Sequence, residues 1–243
     1  MEVNKVNDYF NSLKVVNHYE SAARRIGLWD SEEKIFKKIF KSEDSILELG
    51  CGAGRISIGL YEIGYKNILA TDYANNMVLK ARILSKLLGY SIPYRVCDAR
   101  DLEFEDDIFE GVIFGFNGLM QIPKNKFRTE AIYEIYRVLK KGGFFVFTSH
   151  LRSFSKNKSF WEKEAELWSE NKQNPLLDEF GDRYEINEMG KMFIHVPDED
   201  QLEMTLKEVG FTVEIKVLRS LLSKESAIVR EFSDDCVFWI LRK

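Results

Sequence analysis

Between residues 45 and 148 the sequence alternates short apolar runs with longer amphipathic stretches. Short apolar runs bounded by turn residues are typical of strands buried on both faces, and the longer stretches carry apolar residues at helical spacing. Strands that alternate with helices form βαβ units, whose right-handed crossovers place helices on both faces of a parallel sheet. We therefore predict a doubly wound α/β fold with strands over residues 45–49, 67–71, 94–97, 111–116 and 144–148 and helices over 55–63, 74–88 and 127–139.

Residues 45–150 form the predicted core of one domain that spans residues 1–243. The segment before it, residues 1–44, is expected to be a helical lid. Within this segment Asp30 and Glu33 have the spacing of a capping box, which predicts that a helix begins there.

The segments after the core interrupt the alternation. Residues 151–197 predict an inserted cap with seven aromatic residues, more acidic than basic side chains, and a β-hairpin with arms 183–187 and 191–196. Residues 198–243 predict a helix over 198–209, because acids stand in its first turn and a glycine follows it, and two closing strands over 212–220 and 237–242.

Composition excludes several classes of protein. The chain of 243 residues has a formal net charge of −4 and no block of Lys and Arg, which is unlike a general nucleic-acid binder. No apolar run approaches the roughly 18–20 residues that span a bilayer, and the amino terminus does not resemble a secretory signal. The three cysteines form no C-x-x-C pair, so we expect neither a disulfide framework nor a metal site. We expect a cytoplasmic protein without a membrane partner.

The most informative motif is the run of residues 48–54, ELGCGAG, which stands between a predicted strand and a predicted helix. Glycines at alternate positions let the backbone approach a ligand closely, at the sheet edge where open α/β folds bind nucleotides; a tight structural turn is the alternative. A dinucleotide fingerprint, G-x-G-x-x-G, would need its third glycine where Arg55 or Ser57 stands, and no Gly-Lys-Ser/Thr follows as in a phosphate-binding P-loop.

Two acidic residues stand at the ends of the next two predicted strands. Asp72 is placed to accept both hydroxyls of a ribose, and the alternative is a helix N-cap. Asp98 is placed to accept from the exocyclic amine of adenine, and the alternative is a turn aspartate.

Taken together, these motifs resemble those of the class I S-adenosylmethionine-dependent methyltransferases. The match covers about residues 45–148 and the closing strands, and it runs in order through ELGCGAG at 48–54, ATD at 70–72, CDA at 97–99, FGFN at 114–117 and RVLKKGG at 137–143. The resemblance implies a Rossmann-like, mostly parallel seven-stranded sheet with an antiparallel last strand.

The resemblance also implies S-adenosyl-L-methionine as the cofactor and S-adenosyl-L-homocysteine as the product. It implies that the glycine loop lines the methionine part of the cofactor, that Asp72 holds the ribose, and that Asp98 meets the adenine. The lid candidates are Tyr9, His18, Tyr19 and Arg24, for which a packing role is the alternative. The residues expected to bind the cofactor are Tyr19, Glu48, Gly50, Cys51, Gly52, Gly54, Asp72, Tyr73, Met77, Asp98, Ala99 and Asn117.

Catalytic and acceptor-binding residues are harder to predict, because methyl transfer is an in-line displacement that depends mainly on alignment and exclusion of water. His150 follows the fifth predicted strand and is the candidate general base, with a solvent-facing loop histidine as the alternative. Gln121, Tyr184 and His195 are the candidate acceptor residues; a solvated hairpin edge and a packing role are the alternatives for the last two. Trp161 is expected to pack in the core.

We predict a small-molecule methyl acceptor under the aromatic cap. Residues 117–120, NGLM, lack the two prolines found where methylases of nucleic-acid bases carry an Asp/Asn-Pro-Pro-aromatic motif. One alternative is an RNA or protein methyltransferase, which a contiguous basic face beside the cofactor would favour. Another is a non-catalytic S-adenosylmethionine-binding regulator. The sequence predicts neither the acceptor atom nor the oligomeric state.

Overall fold

A computed structural model describes residues 3–154 and 158–243, apart from the side chains of Val3 and Phe154. The first two residues of the predicted lid and residues 155–157 of the predicted cap therefore lie outside the described residues. Among the described residues, no helix is both long and apolar enough to cross a bilayer.

The described strands form a seven-stranded sheet in the order β3-β2-β1-β4-β5-β9-β8 and a separate hairpin, β6-β7. Strands β1 to β5 pair in parallel, and β9 lies antiparallel between β5 and β8. The predicted fold, a doubly wound sheet with an antiparallel last strand, is confirmed. The strands are β1 Ile46–Leu49, β2 Ile68–Asp72, β3 Tyr94–Val96, β4 Phe109–Phe114, β5 Leu139–Ser149, β6 Asp182–Asn187, β7 Gly190–His195, β8 Thr212–Leu218 and β9 Val237–Arg242.

Helices cover both faces of the sheet. On one face α6 and α8 pack against residues of β4, β5 and β9, and on the other α3 and α4 do so. The helices are α1 Val3–Asn11, α2 Leu13–Arg25, α3 Asp30–Ile39, α4 Arg55–Glu62, α5 Asn75–Leu87, α6 Asn125–Val138, α7 Lys158–Ser169, α8 Glu199–Val209, α9 Arg219–Leu222 and α10 Ala227–Phe232.

Two local expectations are wrong. The capping box at Asp30 and Glu33 is displaced by one residue: Trp29 is the N-cap of α3, and its backbone N–H donates to the Glu32 carboxylate at 2.9 Å. The fifth strand begins five residues earlier than expected, because Leu139 already pairs with Phe109 of β4 before a register shift.

The inserted segment contains a 3₁₀ turn, α7 and the β6-β7 hairpin. Trp161 and Trp168 of α7 both pack edge-on against Phe180, with ring centroids 5.9 and 6.2 Å away. The expected packing role of Trp161 therefore agrees with its position. The segment lies at the carboxyl end of β5, beside the strand ends that carry the glycine loop.

Candidate functional site

The glycine loop between β1 and α4 lines a pocket at the carboxyl edge of the sheet. Gly50, Gly52 and Gly54 have φ angles of 62°, 55° and 91°, in the left-handed region that disfavours residues with a Cβ. A Cβ on Gly50 would also lie 2.7 Å from the ring of Phe114. The loop is therefore a bare-backbone cradle, whose conformation and close packing both require glycine.

Asp72 fastens this loop to the end of β2. Its Oδ2 accepts a hydrogen bond from the Gly52 N–H at 2.8 Å, and its Oδ1 accepts one from the Ala74 N–H at 2.8 Å. Burial raises the pKa of Asp72 to about 6, and the two backbone hydrogen bonds oppose that rise. Asp72 is not the N-cap of α5, which is Ala74, so that alternative is wrong.

Glu48 places a carboxyl group against the pocket wall with one oxygen unpaired. The side chain is 2% exposed, Ser57 hydrogen-bonds to it, and its Oε2 has no hydrogen-bond partner. Burial raises the pKa of Glu48 to about 8, against the opposing effects of Ser57 and Arg55. A buried, unpaired acceptor of this kind fits a ligand that brings a donor or a positive charge.

Arg55, the first residue of α4, lines the same pocket but is held by the protein itself. Its guanidinium makes two hydrogen bonds to Glu32, at 2.6 and 2.7 Å, and one to the Gly27 carbonyl at 2.9 Å. It also lies 4.6 Å from the ring centroid of Trp29. This ion pair joins α3 to α4 directly behind the glycine loop.

The far side of the pocket follows the ends of β2 and β3. Tyr73 and Met77 lie on the wall, as do Asp98 and Ala99. Both carboxylate oxygens of Asp98 accept hydrogen bonds from Arg100, the shortest at 2.6 Å. An adenine amine would share this carboxylate with Arg100, so the predicted contact stays a prediction.

Helices α1 and α2 cover the pocket and bring Tyr19 onto its wall. The Tyr19 hydroxyl hydrogen-bonds to Gln121, and burial raises the pKa of this tyrosine well above its usual range. Of the other lid candidates, Tyr9 hydrogen-bonds to Asn187 of the hairpin and His18 stacks on Phe232 at 5.4 Å. Arg24 instead pairs with Glu20 on an exposed surface.

Two stacked phenylalanine rings line the pocket beyond the end of β4. Phe116 and Phe232 have centroids 5.1 Å apart and an interplanar angle of 24°. Sequence analysis missed Phe232, which lies in the long connection between the closing strands β8 and β9. The length of that connection was the available signal, because paired antiparallel strands are usually joined by short turns.

His150 does not line this pocket, and both of its ring nitrogens are engaged. Nδ1 lies 3.1 Å from the carbonyl oxygen of Asp235, which can only accept, so Nδ1 carries the proton. Nε2 then accepts a hydrogen bond from the Asn117 amide at 3.2 Å. Burial lowers the pKa of His150, so the ring is neutral near neutral pH. This arrangement disagrees with the expected general base, whose lone pair must be available to a substrate.

Tyr184 and His195 also lie off the pocket, on the face of the hairpin opposite Met192. The amide of Gln121 contacts the Met192 sulfur at 3.8 Å, whereas His195 pairs with Asp182 at 2.8 Å. Since side chains alternate along a strand, the face directed at the pocket carries Arg183 rather than Tyr184.

A possible metal-ligand group is formed by Glu179, Asp182 and His195. Arg128 donates to Glu179 at 2.8 Å, and Asp182 accepts from the backbone N–H groups of residues 178 and 179. These partners occupy the carboxylates, so the cluster is a buried structural network.

Most of the predicted site residues meet in this one pocket. Gly54, Asn117, His150, Tyr184 and His195 do not line it. Those that do are Tyr19, Glu48, Gly50, Cys51, Gly52, Asp72, Tyr73, Met77, Asp98, Ala99 and Gln121.

Comparisons with known proteins agree with this fold and motif set. Residues 46–143 match the family model of a methyltransferase domain. A demethylmenaquinone methyltransferase of Symbiobacterium thermophilum is 25% identical to this chain over an alignment of 235 residues, and the match covers 82% of each chain. A ubiquinone/menaquinone biosynthesis C-methyltransferase of Desulfotalea psychrophila is 35% identical over 100 residues, 40% of this chain and 38% of the relative.

Among solved structures, an S-adenosylmethionine-dependent methyltransferase from Methanosarcina mazei has the same fold. It superposes with a TM-score of 0.71 at 20% identity, over 89% of this chain and 98% of the other. Residues 46–143 therefore form a methyltransferase domain, in a chain whose fold and relatives are those of class I S-adenosylmethionine-dependent methyltransferases.

Proposed function

We propose that this pocket binds S-adenosylmethionine and that the enzyme methylates a small planar acceptor, the reduced, dihydroxy form of a quinone ring. The relatives named above act on quinone precursors by name. The observation that carries the proposal is a pocket that a bare glycine loop, a buried carboxyl group with an unpaired oxygen and two stacked aromatic rings line together.

The residues around the glycine loop fit the cofactor. Glu48 offers the unpaired Oε2 to the ammonium of the methionine part, which supplies the donor that this buried atom lacks. Gly50 and Gly52 bring bare backbone to the pocket wall, against which that part can lie. Asp72, already held by two backbone N–H groups, has remaining lone pairs for the ribose hydroxyls.

The aromatic residues of the pocket suit a flat ring. Phe116 and Phe232 line it with apolar ring atoms, and Tyr19 and Gln121 place a hydroxyl and an amide on the same wall. Because the pKa of Tyr19 is raised by burial, its hydroxyl stays protonated and acts as a hydrogen-bond donor. These groups orient the acceptor and exclude water, and alignment of this kind supplies much of the rate of a displacement reaction.

Bound S-adenosylmethionine supplies a methyl group on a positively charged sulfur. A carbon of the reduced ring forms the new C–C bond while the S–CH₃ bond breaks, and the proton lost from that carbon passes to solvent or buffer. The hydroxyl groups of the reduced ring make the carbon nucleophilic. His150 is not needed as a base in this scheme and instead orients Asn117.

The test has two stages. Thermal unfolding with S-adenosylmethionine, and with NAD as the control, should show a rise for the first ligand only. Turnover is then followed by mass spectrometry with a short-chain demethylated naphthoquinol, an unsubstituted phenol and a single-stranded RNA as acceptors. Methylation of the naphthoquinol, with a KM raised by Phe232→Ala, is the expected result.

Methylation of RNA in preference to the quinol would overturn the acceptor proposal and favour the nucleic-acid alternative. A thermal shift without turnover on any acceptor would favour a regulator that binds the cofactor. Absence of a thermal shift, in protein shown to lack copurified cofactor, would contradict the assignment of the pocket itself.

A further inference from the structure

One stretch of the chain departs from its overall charge. Residues 73–97 contain Lys80, Arg82, Lys86 and Arg95 but no Asp or Glu, although the whole chain has 39 acidic and 35 basic residues. The stretch comprises α5 and β3, and β3 is an edge strand of the large sheet. A cationic patch therefore lies on one side of an otherwise acidic protein.

The same stretch exposes apolar side chains. Leu79, Ile83 and Leu87 are 44%, 56% and 69% exposed and follow each other at intervals of four, so they form a stripe along α5. Leu88 and Val96, at 44% and 49% exposed, extend it toward the edge strand. Six of the fourteen large hydrophobic side chains exposed among the described residues lie in this tenth of the chain.

We propose that this surface, called the α5 face (Leu79, Ile83, Leu87, Leu88 and Val96 with Arg82 and Lys86), docks the enzyme on an anionic lipid bilayer. A helix with exposed leucines and only basic charges lies in the interface of a membrane, with its apolar side chains at the acyl boundary and its cations near lipid phosphates. Such a peripheral contact requires no membrane-spanning helix.

Charge and composition favour an anionic bilayer over two other partners, a second copy of the chain and a nucleic acid. A second copy of the chain, paired through the same face, would bring two sets of basic residues together and be repelled. A nucleic acid would match the charge, but the α5 face places leucine and isoleucine between its cations, and these offer bases little to stack on.

The experiment is sedimentation of the full chain with vesicles of phosphatidylcholine, with and without about one-third phosphatidylglycerol. We expect binding to the anionic vesicles that weakens as salt is added, and little binding to the neutral ones. The double variant Arg82→Gln/Lys86→Gln should weaken binding by about fivefold for each residue. Ile83→Gln/Leu87→Gln should weaken it by about tenfold or more.

Matched controls carry equal changes elsewhere. Lys38→Gln/Lys163→Gln removes two exposed charges from α3 and α7, and Met204→Gln/Leu221→Gln removes two apolar side chains, 56% and 75% exposed, from α8 and α9. Both controls should bind anionic vesicles as the unmodified chain does. All variants should retain the same thermal unfolding transition, which separates lost docking from misfolding.

Absence of binding to anionic vesicles at low salt would overturn the proposal, and so would binding that the α5-face variants leave unchanged. Retention of single-stranded RNA without vesicle binding would assign the face to nucleic acid. A dimer in sedimentation velocity that Ile83→Gln/Leu87→Gln dissociates would assign it to a second copy. Because the assay contains neither cofactor nor acceptor, its failure is distinguishable from failure of the proposed function.

Discussion

At the scale of single residues, we expect Glu48 to make cofactor binding depend on pH. Its pKa of about 8 means that the buried carboxyl is largely neutral below that pH, whereas a positively charged ligand requires the carboxylate. We expect the affinity for S-adenosylmethionine, measured by titration calorimetry, to fall as the pH drops below about 8. A second fall is expected below about 6, as Asp72 becomes protonated.

In the variant Glu48→Gln, only the fall in affinity below about pH 6 should remain. This variant should bind the cofactor roughly 10- to 100-fold more weakly at high pH, since it lacks one charge-assisted hydrogen bond. Whereas the affinity for the cofactor rises with pH, the free energy of unfolding of the cofactor-free protein should fall as the pH rises. The folded-state pKa lies above the usual value of 4.5, so the stability that Glu48 contributes at low pH is lost as the pH rises through about 8.

Glu48→Gln does not ionise and avoids this loss, so above about pH 8 its unfolding temperature should exceed that of the unmodified protein by at least about 2 °C. An affinity for S-adenosylmethionine that is independent of pH would contradict the role given to Glu48. The sequence indicated that Glu48 stands near the ligand. Its unpaired oxygen depends on how the first turn of α4 folds back on β1, and no local pattern records that.

Asp72→Ala removes the acceptor for the Gly52 N–H as well as the predicted ribose contact. We expect weaker cofactor binding by about 1.5–3 kcal/mol for each lost hydrogen bond to the charged group, as measured by calorimetry. Asp101→Ala, an exposed aspartate in the loop after β3, is the matched control and should bind normally. Unchanged affinity in folded Asp72→Ala would remove Asp72 from the site.

At the scale of elements, His150 joins three segments that meet at the edge of the sheet. It follows β5 and accepts a hydrogen bond from the amide of Asn117, which lies beyond β4. It donates a hydrogen bond to the carbonyl of Asp235, in the connection between β8 and β9 that also carries Phe232. We expect His150→Ala to lower kcat with little change in cofactor affinity, because Asn117 and the connection lose their shared anchor. The pH profile of the remaining activity should keep its shape.

A double-mutant cycle tests this role of His150. Asn117→Asp cannot donate to Nε2, so its effect on kcat should not add to that of His150→Ala. Additive effects, or loss of one limb of the pH profile in His150→Ala, would instead identify His150 as the general base.

Secondary structure within the alternating core was predictable because its periodicity is local. The strand that begins at Leu139 was placed too late, since its first residues pair with Phe109, which is distant in sequence. The hairpin was found, but its pocket-facing side was not. Both faces of the hairpin mix polar and apolar residues, because the polar side chains of Arg183 and Glu185 pair with Ile194 and Met192. No hydrophobic pattern therefore distinguished the face that carries Arg183 from the face that carries Tyr184.

At the scale of the whole molecule, the helix that covers the pocket contacts a hairpin that lies far away in the chain. Val6, Asn7 and Phe10 of α1 line it, and Tyr9 of the same helix contacts the hairpin through Asn187. Met189, in the hairpin turn, packs in the same cluster as Phe10. The lid and the hairpin therefore share one contact surface, and the proposed cofactor pocket lies beneath the lid.

This arrangement predicts coupled ordering. Binding of S-adenosylmethionine should slow amide hydrogen exchange in α1 directly and in the hairpin turn through Tyr9, while α7 and α8, which do not line the pocket, stay unchanged. In Tyr9→Ala the protection of the glycine loop should persist, and that of the hairpin turn should be lost. If the turn remains protected in Tyr9→Ala, the lid and the hairpin close independently, and the acceptor would then be enclosed without help from α1.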